Sequence, residues 1–264
     1  MMKKTALITG ASSGIGKELS RIHASKGGDL VIVARRKDKL DKLKSELERK
    51  YKINVTVISK DLSDINSAKE IYDQVKSDNI KVDYLMNNAG FGGQGNFHER
   101  DWENDLDMMN VNMVTLTALT RFFLEDFVKR NEGKIMNTSS VAAFMPGPLQ
   151  AVYFASKAYV LSLSNAIAQE LSDTNITVTA LIPGATKTEF SKVSGMDKTS
   201  LFRDSVSAQS VAREGYSGMI NGDLDVIAGV TGIRKLQMKI ISLIPKKFIL
   251  KNIHKLQKVN EHEK

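Results

Sequence analysis

Short apolar, β-branched runs recur along the chain, and each is followed by a longer stretch with helical spacing. Residues 5–9, 30–34, 54–58, 84–86, 134–137 and 177–181 read as strands, with 225–228 a candidate seventh. Most lack the strict apolar–polar alternation of a half-exposed strand, so they predict strands buried on both faces. Between them, residues 16–25, 37–50, 64–78, 101–129 and 156–172 carry the helical patterns. Strands alternating with helices over this length predict a parallel sheet covered by helices on both sides. No Pro- or Gly-rich linker divides the chain and no repeat period appears. The expectation is a single doubly wound α/β domain with three α/β/α layers, spanning 1–232, followed by a C-terminal extension, 233–264.

Composition narrows the chemistry. The 264 residues are 42% hydrophobic and 26% charged with four prolines, which excludes a disordered chain. No run approaches the ~18 apolar residues of a membrane span. The apolar stretch after Met1–Lys4 is shorter than the core of about 7–15 residues in a secretory signal, so a cytoplasmic protein is expected. The absence of cysteine removes disulfides, thiolate metal sites and cysteine nucleophiles together. His23, His98, His254 and His262 are scattered without metal-ligand spacing, so no metal is expected. Chemistry is left to hydroxyls, lysines, amides or an organic cofactor.

The formal charge of +8 sits in the tail. Arg234, Lys235, Lys239, Lys246, Lys247, Lys251, Lys255 and Lys258 face no acidic residue between 226 and 260, and the chain up to Asp225 is nearly neutral. A nucleic-acid partner is therefore not implied by the basic character, and the tail lacks interleaved aromatics for base stacking.

The first strand runs into Thr9-Gly10-Ala11-Ser12-Ser13-Gly14-Ile15-Gly16. A strand, a glycine turn and a helix bring backbone N–H groups and a helix N-terminus to a pyrophosphate. Standing alone, such a turn is also compatible with no ligand. The second strand ends in Ala34, where dinucleotide folds that prefer the unphosphorylated ribose place an acid, and Arg35 and Arg36 follow. Guanidinium forks bind phosphate, so these residues favour NADP(H) over NAD(H). Asp61, with Leu62 beside it after the third strand, is read either as a partner for the adenine amine or as a helix N-cap.

Tyr153 and Lys157 stand four residues apart, so on a helix they share a face. A nearby cation favours phenolate and would make the tyrosine a general acid/base. Ser140 lies thirteen residues upstream at the end of a strand. By itself a Tyr-x-x-x-Lys pair is a weak signal.

Taken together, these motifs resemble the short-chain dehydrogenase/reductase family, which has a Rossmann-type sheet. The residues that carry the resemblance are Thr9–Gly16, Asp61, Asn87-Asn88-Ala89-Gly90, Asn112, Ser140, Tyr153–Lys157 and Pro183–Thr188, in the family's order and spacing. The match spans roughly residues 4–188 and more loosely extends to 229. It implies that Tyr153 protonates a carbonyl oxygen while nicotinamide delivers hydride to the carbon, and that Ser140 holds that oxygen in line. Lys157 would bind the nicotinamide ribose and depress the Tyr153 pKa, and Asn112 would anchor a relay water. Gly10, Ser12, Ser13, Gly14, Ile15, Gly16, Asn88, Ala89, Gly90, Pro183, Gly184, Thr186 and Thr188 are implied as cofactor contacts. Arg35 would supply the main charge for a 2′-phosphate, with Ser12 and Arg36 assisting. A dimer or tetramer is the assembly the resemblance implies. The second reading is a non-catalytic NADP(H)-binding regulatory or scaffold protein; Asn112, Ser140, Tyr153 and Lys157 argue together against it.

The substrate residues are expected from 91–97, 141–152 and the stretch after Thr188. Phe144, Met145, Pro146, Leu149, Phe190, Met196, Leu201 and Phe202 would present apolar atoms to a lipophilic carbonyl compound, or else pack a lid against the body. In the tail, Ile233, Leu236, Ile240, Ile241, Leu243 and Ile244 form one apolar stripe, and Phe248, Ile249, Ile253, Leu256 and Val259 a second beyond Pro245. Two readings stay open: residues 233–260 contact a membrane surface, or they dock on the domain or a neighbouring subunit.

Overall fold

A computed structural model describes residues 3–196, 199, 205–232, 235, 238 and 244–258. The central sheet contains β1 (Thr5–Thr9), β2 (Asp29–Ala34), β3 (Val55–Ser59), β4 (Tyr84–Asn87), β5 (Gly133–Thr138), β6 (Ile176–Pro183) and β9 (Asp225–Ala228). Its order is β3-β2-β1-β4-β5-β6-β9, and every pairing is parallel. A minor ladder joins β7 (Thr186–Lys187) to β8 (Val206–Ser207). The helices are α1 (Gly14–Ser25), α2 (Lys37–Tyr51), α3 (Ser67–Ser77), α4 (Trp102–Met109), α5 (Leu116–Arg130), α6 (Ala151–Glu170), α7 (Phe190–Val193), α8 (Ala208–Asn221) and α9 (Lys246–Gln257).

Successive strand residues point to opposite faces, and both faces are dry. Ala6, Ile8, Leu30 and Ile32 pack with Leu19 of α1, Leu40 and Leu47 of α2, and Val211 and Met219 of α8. Leu7, Val31, Val33, Leu85 and Ile135 pack with Ile71 of α3 and with Leu119, Phe123 and Phe127 of α5. Each fully buried Leu or Phe contributes about 2 kcal/mol of apolar transfer energy, so the two layers hold the sheet rigidly.

The sheet order explains where a ligand goes. The chain builds outward from β1 through β2 to β3, then crosses back to place β4 on the other side of β1. The helices that follow β1 and β4 therefore pack on opposite faces of the sheet, which leaves a crevice at the strands' C-terminal ends.

One helix expectation is refined and one corrected. The pattern over 101–129 is helical throughout, from Trp102 to Arg130, but a π-helical segment, Asn110–Thr115, lies inside it between α4 and α5. There the buried Asn112 bonds the Phe91 backbone and Ser156 rather than solvent, and such bulges often mark functional positions. Helix α6 begins at Ala151, not at 156, which puts Tyr153 in its first turn. The aromatic and β-branched start, Val152-Tyr153-Phe154, has weak helix propensity, and tertiary packing overrides it.

Candidate active site

The glycine turn after β1 is shaped by close approach. Gly10 has φ +69°, and a Cβ there would lie 2.9 Å from the Ala89 Cα. Gly14 has φ +54°, and its Cβ would press on the Thr188 methyl at 2.9 Å. Gly16 is buried, and a Cβ on it would meet both Asn88 Nδ2 and the Gly10 carbonyl at 2.5 Å. Thr9 clamps the two loops: its Oγ1 accepts from the backbone N–H groups of Asn88 and Ala89, each at 3.0 Å. Asn88 Nδ2 donates to the Thr9 carbonyl at 3.2 Å. Ser13, the N-cap of α1, makes no side-chain capping bond, so the helix's first N–H groups open toward the crevice.

A cleft of about 580 Å³ runs from this turn to the first turns of α6. Gly10, Ser12, Ser13, Gly14, Ile15, Arg35, Arg36, Asp61, Leu62, Asn88, Ala89 and Gly90 line one end. Ser140, Tyr153, Lys157, Pro183, Gly184, Thr186 and Thr188 line its continuation. Two expected residues are not on the wall. Gly16 lies beneath the turn and serves helix–strand packing, and Asn112 stands behind Gly90.

The arginines are unequal. Arg35 is largely exposed and lies only loosely near Asp61, at 3.7 Å. Arg36 Nη2 donates to Ser12 Oγ at 3.1 Å and pairs with Glu189 Oε2 at 2.7 Å. Glu189 also holds Lys39 at 2.7 Å. These two cations keep the Glu189 carboxyl at about 2. Asp61 Oδ1 accepts from Ser63 N and Oγ, each at 3.1 Å, which closes a local turn. It is not the N-cap of α3, a position taken by Asn66.

At the other end, Ser140 caps the short 3-10 turn Val141–Phe144, its Oγ accepting from Ala142 N at 3.1 Å, and its hydroxyl lies beside the Tyr153 phenol. Lys157, 4% exposed, donates to the Thr138 carbonyl at 2.9 Å. Ser139 Oγ donates to the Lys157 carbonyl at 2.8 Å, which fixes that turn of α6. A Cβ on Gly90 would lie 2.9 Å from Asn112 Oδ1 and 3.2 Å from Lys157 Nζ, so this glycine lets both groups approach the loop. Asn112 Nδ2 bonds the Phe91 carbonyl and Ser156 Oγ, each at 3.0 Å, and Oδ1 accepts from Phe91 N at 3.1 Å. Asn112 is thus a strut between the β4 loop and α6.

The electrostatics differ from the expectation in one respect. Burial pushes the Tyr153 phenol up to about 12, against a smaller opposing effect of the Ser140 hydrogen bond. Burial also draws the Lys157 ammonium down to about 8. Its Nζ stands 5.8 Å from the Tyr153 ring centroid and is turned to Thr138. Desolvation therefore governs both groups, and the lysine does not bring the phenol toward neutral pH.

Beyond Tyr153 the cleft is mostly apolar. Val141, Met145, Phe154, Phe190, Met196 and Ile253 line it, and the Phe190 ring centroid lies 5.3 Å from that of Tyr153. Of the expected substrate residues, Met145, Phe190 and Met196 reach the wall. Phe144, Pro146 and Leu149 are not among its lining residues, and Leu201 and Phe202 lie outside the described residues. Sequence reasoning gave no site role to Thr138, Ser139, Glu189 and Gln257. In the tail, Ile233, Leu236, Ile240, Ile241, Leu243 and Val259 lie outside the described residues. The second stripe is α9, which buries Ile249 and brings Ile253 and Gln257 to the cleft, so this part docks on the domain. No described helix is long and apolar enough to cross a membrane, and no group of potential metal ligands occurs among the described residues.

Known proteins match this arrangement. The short chain dehydrogenase family matches residues 4–199. An NADP-dependent 3-hydroxy acid dehydrogenase from Schizosaccharomyces pombe is 33% identical over 195 residues, covering 72% of this chain and 74% of that protein. The very-long-chain 3-oxoacyl-CoA reductase of Homo sapiens is 29% identical over 262 residues, covering 96% and 79% respectively. A solved short-chain dehydrogenase from Sphingobium yanoikuyae in complex with NADPH has a TM-score of 0.81 at 30% identity, covering 92% of this chain and 97% of that one. With its sheet order, glycine turn and Ser140–Tyr153–Lys157 group, the chain belongs to the short-chain dehydrogenase family and is an oxidoreductase of alcohol and carbonyl groups.

Proposed function

We propose that the protein interconverts a lipophilic ketone or aldehyde and its alcohol, with NADP(H) as cofactor. The observation that carries this reading is one continuous cleft with Arg35 and Arg36 at one end and Ser140, Tyr153 and Lys157 at the other. Bound NADPH supplies the hydride for reduction. The residues present fit that cofactor: the tight glycine turn leaves room for phosphates, and open N–H groups of α1 face them. No acid stands at the end of β2 to repel a 2′-phosphate, and the exposed Arg35 is the principal cation for it.

In reduction, the Tyr153 hydroxyl gives its proton to the carbonyl oxygen as negative charge develops there. A phenol held at about 12 stays protonated throughout the neutral range, which suits it as an acid. The Ser140 hydroxyl hydrogen-bonds the same oxygen and orients the carbonyl. Lys157 would hold the ribose hydroxyls of the cofactor, and Thr138 and Ser139 fix Lys157 in place. Asn112 positions the Phe91 loop against Lys157, and the remaining lone pair of its Oδ1 can hold the relay water. Thr186 and Thr188, which line the cleft, would contact the nicotinamide.

NADPH oxidation against a carbonyl panel tests the reading, with NADH in parallel. The panel runs from short aldehydes through long-chain 3-ketoacyl thioesters to steroid ketones. Turnover preferring NADPH is expected; failure to bind either dinucleotide would overturn the proposal.

The same proposal includes a homodimer or homotetramer, checked by sedimentation, and a peripheral membrane contact through residues 233–260. Supporting the latter, Phe248 is 63% exposed on α9 beside Lys247 and Lys251. Flotation with anionic liposomes checks it, because equal flotation with and without residues 233–264 would remove the membrane role.

A further inference from the structure

Gln257 closes α9 and is 0% exposed. Its backbone carbonyl accepts a hydrogen bond from Gln94 Nε2, which ties the helix end to the loop after β4. The side chain behaves differently: Nε2 and Oε1 are both buried and have no hydrogen-bond partner. Gln257 is one of the residues lining the same cleft as Tyr153. A second amide there is incompletely satisfied. Gln150 is 2% exposed, its Oε1 is unpartnered, and its Nε2 donates only to the Met196 sulfur, at 2.7 Å.

A buried amide without partners destabilises the protein that carries it, and a leucine would fill similar space without that penalty. Such groups are rare in native structures and call for a physical reason. A ligand that completes the bonds supplies one. A primary amide presents a donor and an acceptor side by side, so its best complement is a neutral group that both accepts and donates. A carboxylate would face Oε1 with another acceptor, and an ammonium would face Nε2 with another donor. A hydroxyl can satisfy both atoms, and a secondary amide satisfies one of them with its N–H or its carbonyl.

We infer that Gln257 is a specificity-determining residue that hydrogen-bonds a second, neutral polar group of the substrate, a hydroxyl or an amide. The inference rests on the carbonyl-reductase reading and narrows it. The substrate is bifunctional, with one carbonyl handled by Ser140 and Tyr153 and one further polar group inside an apolar cleft. The tail helix is then part of the substrate site.

Matched ketone pairs test this in the full-length protein. One pair is a ring ketone with and without a hydroxyl; the other is a 3-ketoacyl N-alkyl amide and the corresponding ester. The wild type is expected to favour the polar member of one pair by about tenfold or more in kcat/KM, chiefly through KM. Gln257→Leu is expected to bring that ratio close to one. The responding pair tells hydroxyl from amide. A ratio unaffected by Gln257→Leu would overturn the inference, as would a wild type without preference in either pair. Absence of NADPH-linked turnover of every compound would instead count against the underlying reading. A ligand-free measurement covers that outcome: Gln257→Leu should raise Tm if the amide is unsatisfied, and a lowered Tm would assign it a structural role and overturn the inference.

Discussion

At the dinucleotide end of the cleft, the wall comes from residues that directly follow strands: Gly10–Gly14 after β1, Arg35 and Arg36 after β2, Asp61 and Leu62 after β3, Asn88–Gly90 after β4. At the carbonyl end, Met145, Phe190, Met196, Ile253 and Gln257 arrive from the β5–α6 loop, from α7 and the residues after it, and from α9. The first end leaves little choice of residue. Positive φ and sub-3 Å approaches require glycine at Gly10 and Gly14, and a 2′-phosphate calls for cations. The second end needs shape and a few polar atoms, which many residues from many places can supply. Recognition of the cofactor is therefore written locally, whereas recognition of the substrate depends on where distant segments return.

The sharpest way to break this contrast is at Lys157, where the two ends meet. Lys157→Met should lower kcat/KM by about 100-fold or more and weaken cofactor binding. The same change should stabilise the fold. An ammonium held near 8 rather than 10.5 is charged at neutral pH against its environment, a penalty of up to about 3 kcal/mol. Because the unfolded state binds more protons between those values, the wild type should gain stability as pH rises from 8 toward 10.5, and the variant should not. Thermal unfolding of both proteins across that range checks the sign.

Gly10→Ala probes the local end. The backbone at φ +69° and the fixed Ala89 Cα 2.9 Å away make strain of about 1–3 kcal/mol the expected outcome. NADPH affinity should fall roughly tenfold, measured by fluorescence titration, while the preference among carbonyl substrates at saturating cofactor stays as in the wild type. A changed substrate preference would show that the two ends are not separable.

The pH profile follows from the same two groups. Alcohol oxidation needs phenolate from a group held near 12, so its rate should climb with pH through the alkaline range. Carbonyl reduction uses the protonated phenol and should stay level until Lys157 discharges near 8. Initial rates in both directions measure this.

The smallest expected effect is at Glu189, which sits between the ends and holds Arg36 and Lys39 at 2.7 Å each. These groups are half exposed, and exposed pairs are worth little. Glu189→Gln should release Arg36 to the 2′-phosphate and tighten NADPH binding by about 2- to 5-fold, leaving NADH unaffected. High salt should erase the gain.

The same contrast governs what could be read in the sequence. The seven strands, the glycine turn and the Tyr153–Lys157 pair were legible because buried parallel strands and close backbone contacts admit few residue types. The π-helical segment Asn110–Thr115 was not, since the bonds that its Asn112 makes to the Phe91 backbone join residues far apart in sequence. The early start of α6 was hidden by residues of low helix propensity. Glu189 reads locally as an ordinary loop acid, and only folding sets it beside Arg36. A single glutamine in a lysine-rich tail carries no signal either, yet Gln257 is buried in the cleft. Phe144, Pro146 and Leu149 show the converse: apolar residues in the right loop that the fold keeps out of the lining. The Tyr153–Lys157 spacing likewise says nothing about how much water burial removes, which pushes the phenol up and the ammonium down.

The most direct test of the central claim compares wild type and Tyr153→Phe in two assays: NADPH titration and single-turnover NADPH oxidation with a carbonyl substrate turned over by the wild type. The account predicts similar NADPH affinity and a rate loss of about 10³-fold, because the phenyl ring keeps its packing on Phe190 while the proton donor is gone. A variant that binds NADPH equally well and turns over at the wild-type rate would contradict the assignment of Tyr153 as the acid.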